Sequence, residues 1–260
     1  MKIYKSYLLL HLILLLIAPS ISDAQPNHWT RFRGSDGHGI DSKASVHVSW
    51  NATDYKWIID LPGIGNASPV VWDNQIYVTS AEDENDLGYL IAVDGSNGKI
   101  LWKKEFRVTD LALHENNKLA APTPACDESH IYTLWVSREK ISLTALSHDG
   151  VLVWQSEFGG MEARHGGGSS LMLTEKYVVF TREQEEGSTL KSSWVAVDKL
   201  TGETAWELER ETALGNSFST PILVINENHA DRNRPLGRQS SAGFVKSGMF
   251  TGGLRSGFRP

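Results

Sequence analysis

The chain has 260 residues, of which 40% are apolar and 22% are charged, the balance of a folded protein rather than a disordered one. Its 31 acidic and 25 basic residues give a net charge of −6, which argues against general nucleic-acid binding because that needs a basic face. The nine Trp and 23 Gly suit many short strands joined by tight turns.

The first 24 residues have the pattern of an export signal. Lys2 and Lys5 precede an apolar run over residues 7–17, and small residues follow at Ser22 and Ala24. We therefore predict a signal peptide over residues 1–24 and an exported mature protein, periplasmic or extracellular, without an integral membrane span. A membrane anchor is the alternative, although the run is shorter than the roughly 20 residues that a spanning helix needs.

Residues 25–65 precede the repeated part of the chain. They are interpreted as an N-terminal lead-in that ends, around Lys56 and Trp57, in a strand that closes a sheet formed elsewhere in the fold. Residues 66–225 then contain a unit of fixed length. Trp102, Trp154 and Trp206 lie 52 residues apart, and a Gly stands four residues before each of them. The signature positions of this repeat are Asp94, Gly98, Trp102, Gly150, Trp154, Asp198, Gly202 and Trp206.

Each unit is predicted to contain four short strands. Every unit opens with a hydroxyl residue before an apolar run, and these residues are Ser68, Thr123, Ser170 and Thr220. In the first unit the predicted strands are Pro69–Trp72, Ile76–Ser80, Tyr89–Val93 and Lys99–Phe106; Ile131–Ser137 and Tyr177–Thr181 are the second strands of the next two. Four antiparallel strands per repeat predict an all-β, incomplete β-propeller of about three to four blades, in which each Trp fills the gap between neighbouring blades. A β-sandwich with coincidental Trp spacing is the alternative.

Candidate chemistry in the chain is sparse. Cys126 is the only cysteine, so no internal disulfide can form, and a buried structural thiol is expected. The acidic segment Asp83–Asp86 is interpreted as a solvated loop rather than a Ca²⁺ loop. His165–Gly168 has the composition of an esterase oxyanion loop, but no Gly-x-Ser-x-Gly nucleophile motif accompanies it. No catalytic, cofactor-binding or metal residue is therefore predicted.

Three longer connections offer places for a partner to bind. They are Ala81–Gly88, Arg107–Ala121 and Glu183–Ser193. Propellers bind partners on loops at one face or in the central channel, so we expect an unidentified protein, small-molecule or glycan ligand at these loops. Arg107–Ala121, which connects two blades, is the first candidate.

The repeat pattern stops after Asn226. Residues 226–260 contain five Arg and one Lys against two acidic residues, and no Trp. One hypothesis is that this segment is the product of a frameshift or a truncated reading frame, which further Gly-x-x-x-Trp units in a neighbouring frame of the gene would support. A disordered basic tail is the alternative.

The motifs resemble one known group of propellers. Asp94–Trp102 and Asp198–Trp206 follow the Asp-x-x-x-Gly-x-x-x-Trp pattern of the pyrroloquinoline-quinone (PQQ) dehydrogenases and their non-enzymatic relatives. Trp29–Gly39 resembles the N-terminal signature of secreted bacterial PQQ-like propellers, and Trp57–Pro69 resembles their entry into the first full blade. His165–Ser170 resembles the entry to the third blade, although Leu171 stands where the family has Pro. The family propeller commonly has seven or eight blades, so the resemblance implies a truncated or frameshifted member.

The resemblance implies two possible functions. The first is an exported non-enzymatic scaffold or binding protein without a cofactor. The alternative is a remnant of a PQQ-dependent alcohol or sugar dehydrogenase, which would use PQQ and Ca²⁺. The enzymes tend to carry adjacent cysteines near the quinone, and a chain with one Cys cannot supply that pair.

Overall fold

The computed structural model describes residues 28–42, 44–45, 47–108, 117–162, 166–185, 187–210, 219–225 and 242–245. The predicted signal peptide, His165, the centre of the connection after Arg107 and most of the tail lie outside these residues. The described part is almost entirely β-structure, with fifteen strands and one three-residue 3-10 turn at Asp83–Asn85. No helix in the described part of the chain is long and apolar enough to cross a membrane.

The strands form three blades and the beginning of a fourth. Blade 1 contains β1 (His28–Trp29), β2 (Val70–Trp72), β3 (Gln75–Glu82), β4 (Leu87–Asp94) and β5 (Ile100–Arg107), in that order across the sheet. Blade 2 contains β6 (Ala125–Cys126), β7 (Ile131–Val136), β8 (Lys140–Leu146) and β9 (Leu152–Gly159). Blade 3 contains β10 (Met172–Leu173), β11 (Tyr177–Arg182), β12 (Ser192–Asp198) and β13 (Thr204–Arg210). A further pair joins β14 (Ile222–Ile225) to β15 (Ala242–Val245).

The predicted fold class is confirmed, because every neighbouring pair of strands is antiparallel and the units have four strands in sequence order. The predicted bounds of the strands agree with the structure to within two residues. The prediction of a long loop over Ala81–Gly88 is wrong. Since β3 continues to Glu82 and β4 begins at Leu87, only four residues connect the two strands.

The register divides each blade into two ends. Gln75 pairs with Asp94, so the β2–β3 and β4–β5 connections lie at one end, which we call the turn end. Leu87 pairs with Glu82 and with Arg107, so the β3–β4 connection and the link to the next blade lie at the opposite end, which we call the loop end.

Apolar side chains fill the spaces between the blades. One cluster combines Leu134, Ile141 and Leu143 of blade 2 with Phe180 and Val195 of blade 3. A second cluster lies between blades 1 and 2. Because each fully buried aliphatic or aromatic side chain contributes roughly 1.5–3 kcal/mol, these clusters hold the blades face to face.

A series of hydrogen bonds joins the blades where their first strands begin. The backbone N–H of Ser68 donates to Oγ1 of Thr123 at 3.0 Å, and that of Thr123 donates to Oγ of Ser170 at 3.1 Å. The N–H of Ser170 donates in turn to Oγ1 of Thr220 at 3.1 Å. Thr123, Ser170 and Thr220 each therefore accept a backbone N–H from the preceding blade, and the blades converge at this inner edge.

The lead-in covers part of the inner edge. His28 and Trp29 pair with Trp72 and Val71, so β1 becomes a fifth, innermost strand of blade 1. The carbonyl of Thr30 then accepts the N–H of Cys126 in blade 2 at 2.8 Å. One short segment thus ties together the inner edges of two blades.

Candidate interaction site

The signature Trp and Gly residues meet across the blade boundaries. The indole N–H of Trp102 donates to the carbonyl of His148 at 2.9 Å, and that of Trp154 donates to the carbonyl of Lys199 at 2.8 Å. Each acceptor lies in the turn that contains the signature Gly of the following blade. A Cβ atom on Gly150 would lie 2.8 Å from Cδ2 of Trp102, and one on Gly202 would lie 2.7 Å from Cδ2 of Trp154. Each indole therefore docks on the glycine of the next repeat.

Trp57 of the lead-in makes the same contacts with blade 1. Its indole N–H donates to the carbonyl of Gly95 at 3.0 Å, and a Cβ atom on Gly98 would lie 2.8 Å from its ring. The signal for this role in the sequence is weak, because Thr53 stands where the other units have Gly.

The signature aspartates organise the turns. Asp94 accepts hydrogen bonds from the backbone and hydroxyl of Ser96 and from the amides of Asn74 and Asn97. These donors, led by the Ser96 hydroxyl, lower the pKa of the Asp94 carboxyl to about 2. Asp198 accepts the backbone N–H groups of Leu200 and Thr201 in the corresponding turn of blade 3.

A second polar network crosses the turn end of all three blades. The Nε2–H of His148 donates to the carbonyl of Asp127 at 2.8 Å, and Nδ1 lies 2.6 Å from the hydroxyl of Tyr77 in blade 1. The carboxylate of Asp127 pairs with Lys199 of blade 3 at 2.9 Å. Burial raises the pKa of Asp127, but the hydrogen bonds from Lys199 and two backbone N–H groups outweigh it, so the net pKa is lowered. These contacts therefore join blade 1 to blade 2 and blade 2 to blade 3.

At the loop end, the connection after Arg107 is fixed at both of its ends. The N–H of Val108 donates to the carbonyl of Asp86 at 2.9 Å. Val108, Leu119 and Ala120 are buried in a cluster with Trp135 of blade 2. The carbonyl of Ala120 also accepts N–H groups from the segment that begins blade 1. The centre of the connection, residues 109–116, lies outside the described part, but its attachment points are held by the core.

The loop end of blade 3 is held by a buried ion pair. Arg210 pairs with Glu183, and the two side chains are 10% and 6% exposed. Gln184 accepts the N–H of Glu162 and donates to the carbonyl of Gly160. The predicted loop Glu183–Ser193 therefore begins inside the fold, and β12 takes up its last two residues.

The exposed part of this end combines apolar and charged side chains. We define the loop-end surface by its exposed residues, which are Ile64, Glu84, Arg138, Glu139 and Leu190. Ile64 and Leu190 remain 53% and 45% exposed, and the backbone N–H of each is hydrogen-bonded. Ile64, for example, forms a β-bridge with Ala81. The loop-end surface therefore combines exposed aliphatic groups with charged groups of both signs.

Within the described residues, no group of three or more His, Cys, Asp or Glu side chains is placed to hold a metal ion. The carboxylate of Asp94 is filled by its four donors and that of Asp127 by Lys199, so neither offers free oxygen ligands. At the inner edge of blade 1, β2 is already paired with β1. Cys126 is buried as expected, and burial raises the pKa of its thiol to about 12, so it stays protonated.

Repeated four-stranded antiparallel blades, joined by docked tryptophans, define this chain as a PQQ-like β-propeller protein. The PQQ_2 family model, described as "Outer membrane protein assembly factor BamB", matches residues 42–231, and the chain belongs to this family. A search of the curated proteins found no match.

Solved structures with similar folds include dehydrogenases and an assembly factor. A europium-containing methanol dehydrogenase is 15% identical with a TM-score of 0.43, and the match covers 55% of this chain and 24% of that one. Quinohemoprotein alcohol dehydrogenase from Comamonas testosteroni is 19% identical with a TM-score of 0.42, over 56% of this chain and 21% of that one. BamB from Moraxella catarrhalis is 18% identical with a TM-score of 0.36, over 71% of this chain and 52% of that one.

Proposed function

We propose that this chain is an exported, non-catalytic propeller that binds a protein partner at its loop-end surface. The observation that carries the proposal is the anchoring of the connection after Arg107. Buried Val108, Leu119 and Ala120 hold the two described ends of this connection against the core of blades 1 and 2 at the loop end. The family description, an assembly factor of outer membrane proteins, also favours a protein as the ligand.

Export to the periplasm or the cell exterior is part of this proposal. It is supported by the basic and apolar segments at the N-terminus, which lie outside the described residues. The single buried thiol is compatible with an oxidising compartment, because a protonated and inaccessible Cys126 does not form mixed disulfides.

Site-specific photo-crosslinking in the exporting cell tests the proposal. A photoreactive amino acid replaces Leu190, which is 45% exposed at the loop end, and in a matched variant replaces Leu200, which is 75% exposed at the turn end. We expect one defined protein adduct from position 190 and none from position 200. Adducts of equal yield at both positions, or no adduct at position 190, would contradict the proposal. Deleting Val108–Lys118 is a poorer test, because it removes the buried Val108 side chain.

The dehydrogenase remnant is retained as a second candidate because Asp94–Trp102 and Asp198–Trp206 follow the repeat pattern that the PQQ dehydrogenases share with their non-enzymatic relatives. Fluorescence titration with PQQ, with and without Ca²⁺, separates the candidates. Saturable binding that requires Ca²⁺ would favour the enzyme, whereas the scaffold predicts no such binding.

A further inference from the structure

The loop that follows β1 folds around one arginine side chain. The N–H of Gly34 donates to the carbonyl of Arg31 at 2.9 Å, and that of Gly37 donates to the carbonyl of Gly34 at 3.0 Å. A Cβ atom on Gly37 would lie 2.9 Å from Nη2 of Arg31, so the backbone of this turn lies directly against the guanidinium group. The loop therefore encloses the side chain of Arg31, which is only 5% exposed.

The guanidinium group of Arg31 donates within this loop through Nε. The Nε–H group donates to the carbonyl of Ser35 at 3.2 Å. The terminal Nη1 is buried and has no hydrogen-bond partner within the described residues. Nη1 and Nη2 together form the end of the guanidinium group, where two parallel N–H groups match the two oxygens of a carboxylate. The loop thus orients Arg31 through one nitrogen and leaves this end for another acceptor.

The charge of Arg31 is only partly compensated by the described residues. Asp36 attracts it, but the two side chains form no ion pair, and both carboxylate oxygens of Asp36 are held by His38. Oδ1 accepts the backbone N–H of His38 at 2.9 Å, and Oδ2 lies 3.1 Å from its Nδ1. Burial lowers the pKa of Arg31, and the charge of Asp36 offsets only part of this effect. A buried cation is unfavourable unless an anion or further acceptors replace its water.

The loop around Arg31 is attached to two blades. The preceding residue, Thr30, accepts the N–H of Cys126 in blade 2, and Trp29 pairs with Val71 in blade 1. The hydroxyl of Ser35 donates to the carbonyl of His28 at 3.5 Å and folds the loop back on β1. The guanidinium group is therefore held beside the innermost strands, which in a propeller line the central channel.

We propose that Arg31 binds a carboxylate ligand through its two terminal nitrogens at the inner edge of blades 1 and 2. The carboxylate accepts two parallel N–H groups and neutralises the buried charge. Two charge-assisted hydrogen bonds predict a Kd of about 1 mM. This site is distinct from the loop-end surface and does not depend on the binding of a protein there.

Nuclear magnetic resonance titration of the full chain tests the proposal. Sodium acetate is added at constant ionic strength, and the Nε–Hε signal of Arg31 and the backbone amide signal of Gly37 are followed. The same titration is made with Arg31→Gln, in which the Gly37 signal is the readout. Arg33→Gln is the matched control, because Arg33 is an exposed cation in the same loop. Two further probes, Gly-Gly-Gly with a free C-terminus and the same peptide with an amidated C-terminus, identify the source of the carboxylate.

We expect acetate to shift both signals in a saturable manner in the wild type and in Arg33→Gln, and to bind Arg31→Gln roughly tenfold more weakly or not at all. Binding of acetate and of the free-acid peptide, but not of the amide, assigns the site to the end of a polypeptide. Binding of acetate alone assigns it to a small carboxylate. The absence of a saturable shift in the wild type would overturn the proposal, as would an equal response of Arg31→Gln. The first result is the one expected if a carboxylate of this chain already holds the guanidinium group.

Discussion

At the scale of single residues, the signature glycines meet two requirements at once. Gly98, Gly150 and Gly202 all have positive φ values, of 77°, 79° and 76°, which residues with a Cβ atom rarely adopt. Each also lies against the indole of the preceding unit. The sequence predicts the turn from the Gly, but the contact with the Trp of another unit is visible only in the assembled fold.

Gly150→Ala should therefore lower the free energy of unfolding by more than the unfavourable φ alone would. We expect a loss of about 3 kcal/mol in the free energy of unfolding, from the unfavourable φ and from overpacking against Trp102. Gly187→Ala is the matched control, because Gly187 has φ +87° but nothing within 4 Å of the added Cβ atom. The free energy of unfolding of that variant, measured by urea denaturation, should fall by only about 1 kcal/mol. Equal losses in the two variants would show that the indole contact contributes nothing.

The lowered pKa of Asp94 predicts that the free energy of unfolding depends on pH in the acid range. Because the hydrogen bonds of its turn lower the pKa of the folded carboxyl to about 2, its contribution to stability is complete above the unfolded pKa, about 3.9. The contribution is lost as the pH falls from about 4 through 2. Asp94→Asn should be less stable than the wild type at pH 6, and the difference should shrink toward pH 2 in urea unfolding. A difference that stays constant over this range would contradict the assignment.

At the scale of elements, the hairpin of the third and fourth strands has the same structure in all three complete blades. A buried alanine faces each docking Trp, and a register shift follows it. The fourth strands are outer edges, and they carry alternating exposed charges such as Lys103, Glu105 and Glu157. Charges on an edge strand discourage unwanted pairing with other chains.

Ala145→Leu should destabilise blade 2 because the larger side chain competes with Trp154 for the same space. We expect a loss of about 1–3 kcal/mol, the usual cost of overpacking a core. Val151→Leu provides the control, since Val151 is 64% exposed and the change should be nearly neutral. Chemical denaturation followed by far-UV circular dichroism measures both. A neutral Ala145→Leu would contradict the role assigned to the small residue.

The sequence predicts most of these elements, but not β1 or β15, and it places the end of β3 too early. Alternating apolar residues between Gly and Asn turns were sufficient to locate the long strands. The two-residue strand β1 shows no alternation, so its pairing with the inner edge of blade 1 could not be inferred. The predicted β3 is also too short, because Ala81 and Glu82 lead into the acidic segment Asp83–Asp86, whose composition is typical of a loop.

At the scale of the whole molecule, three kinds of contact join the blades. Indole–glycine docking connects them at the turn end, hydroxyl–backbone hydrogen bonds connect them at the inner edge, and apolar clusters fill the space between. The sequence shows the hydroxyl residues but not their structural role. Thr123, Ser170 and Thr220 accept backbone N–H groups from residues about 50 positions earlier in the chain, and these contacts form only in the folded protein.

Trp102→Phe tests how strongly one of these contacts couples two blades. The substitution removes the hydrogen bond to the carbonyl of His148 and part of the buried ring area, so we expect a loss of about 2 kcal/mol. Trp50→Phe is the control, because Trp50 is 58% exposed and its loss should be close to zero. Equilibrium unfolding in urea, followed by circular dichroism, gives both values. Equal stability of the two variants would mean that docking at Trp102 does not hold the blades together.

The docking of each indole on the next unit is tested most directly by nuclear Overhauser contacts between Trp rings and Gly Hα atoms. The structure predicts contacts from Trp57 to Gly98, from Trp102 to Gly150 and from Trp154 to Gly202. Contacts from Trp102 to Gly98 and from Trp154 to Gly150, within the same unit and without the contacts to the following one, would contradict the stacked-blade architecture.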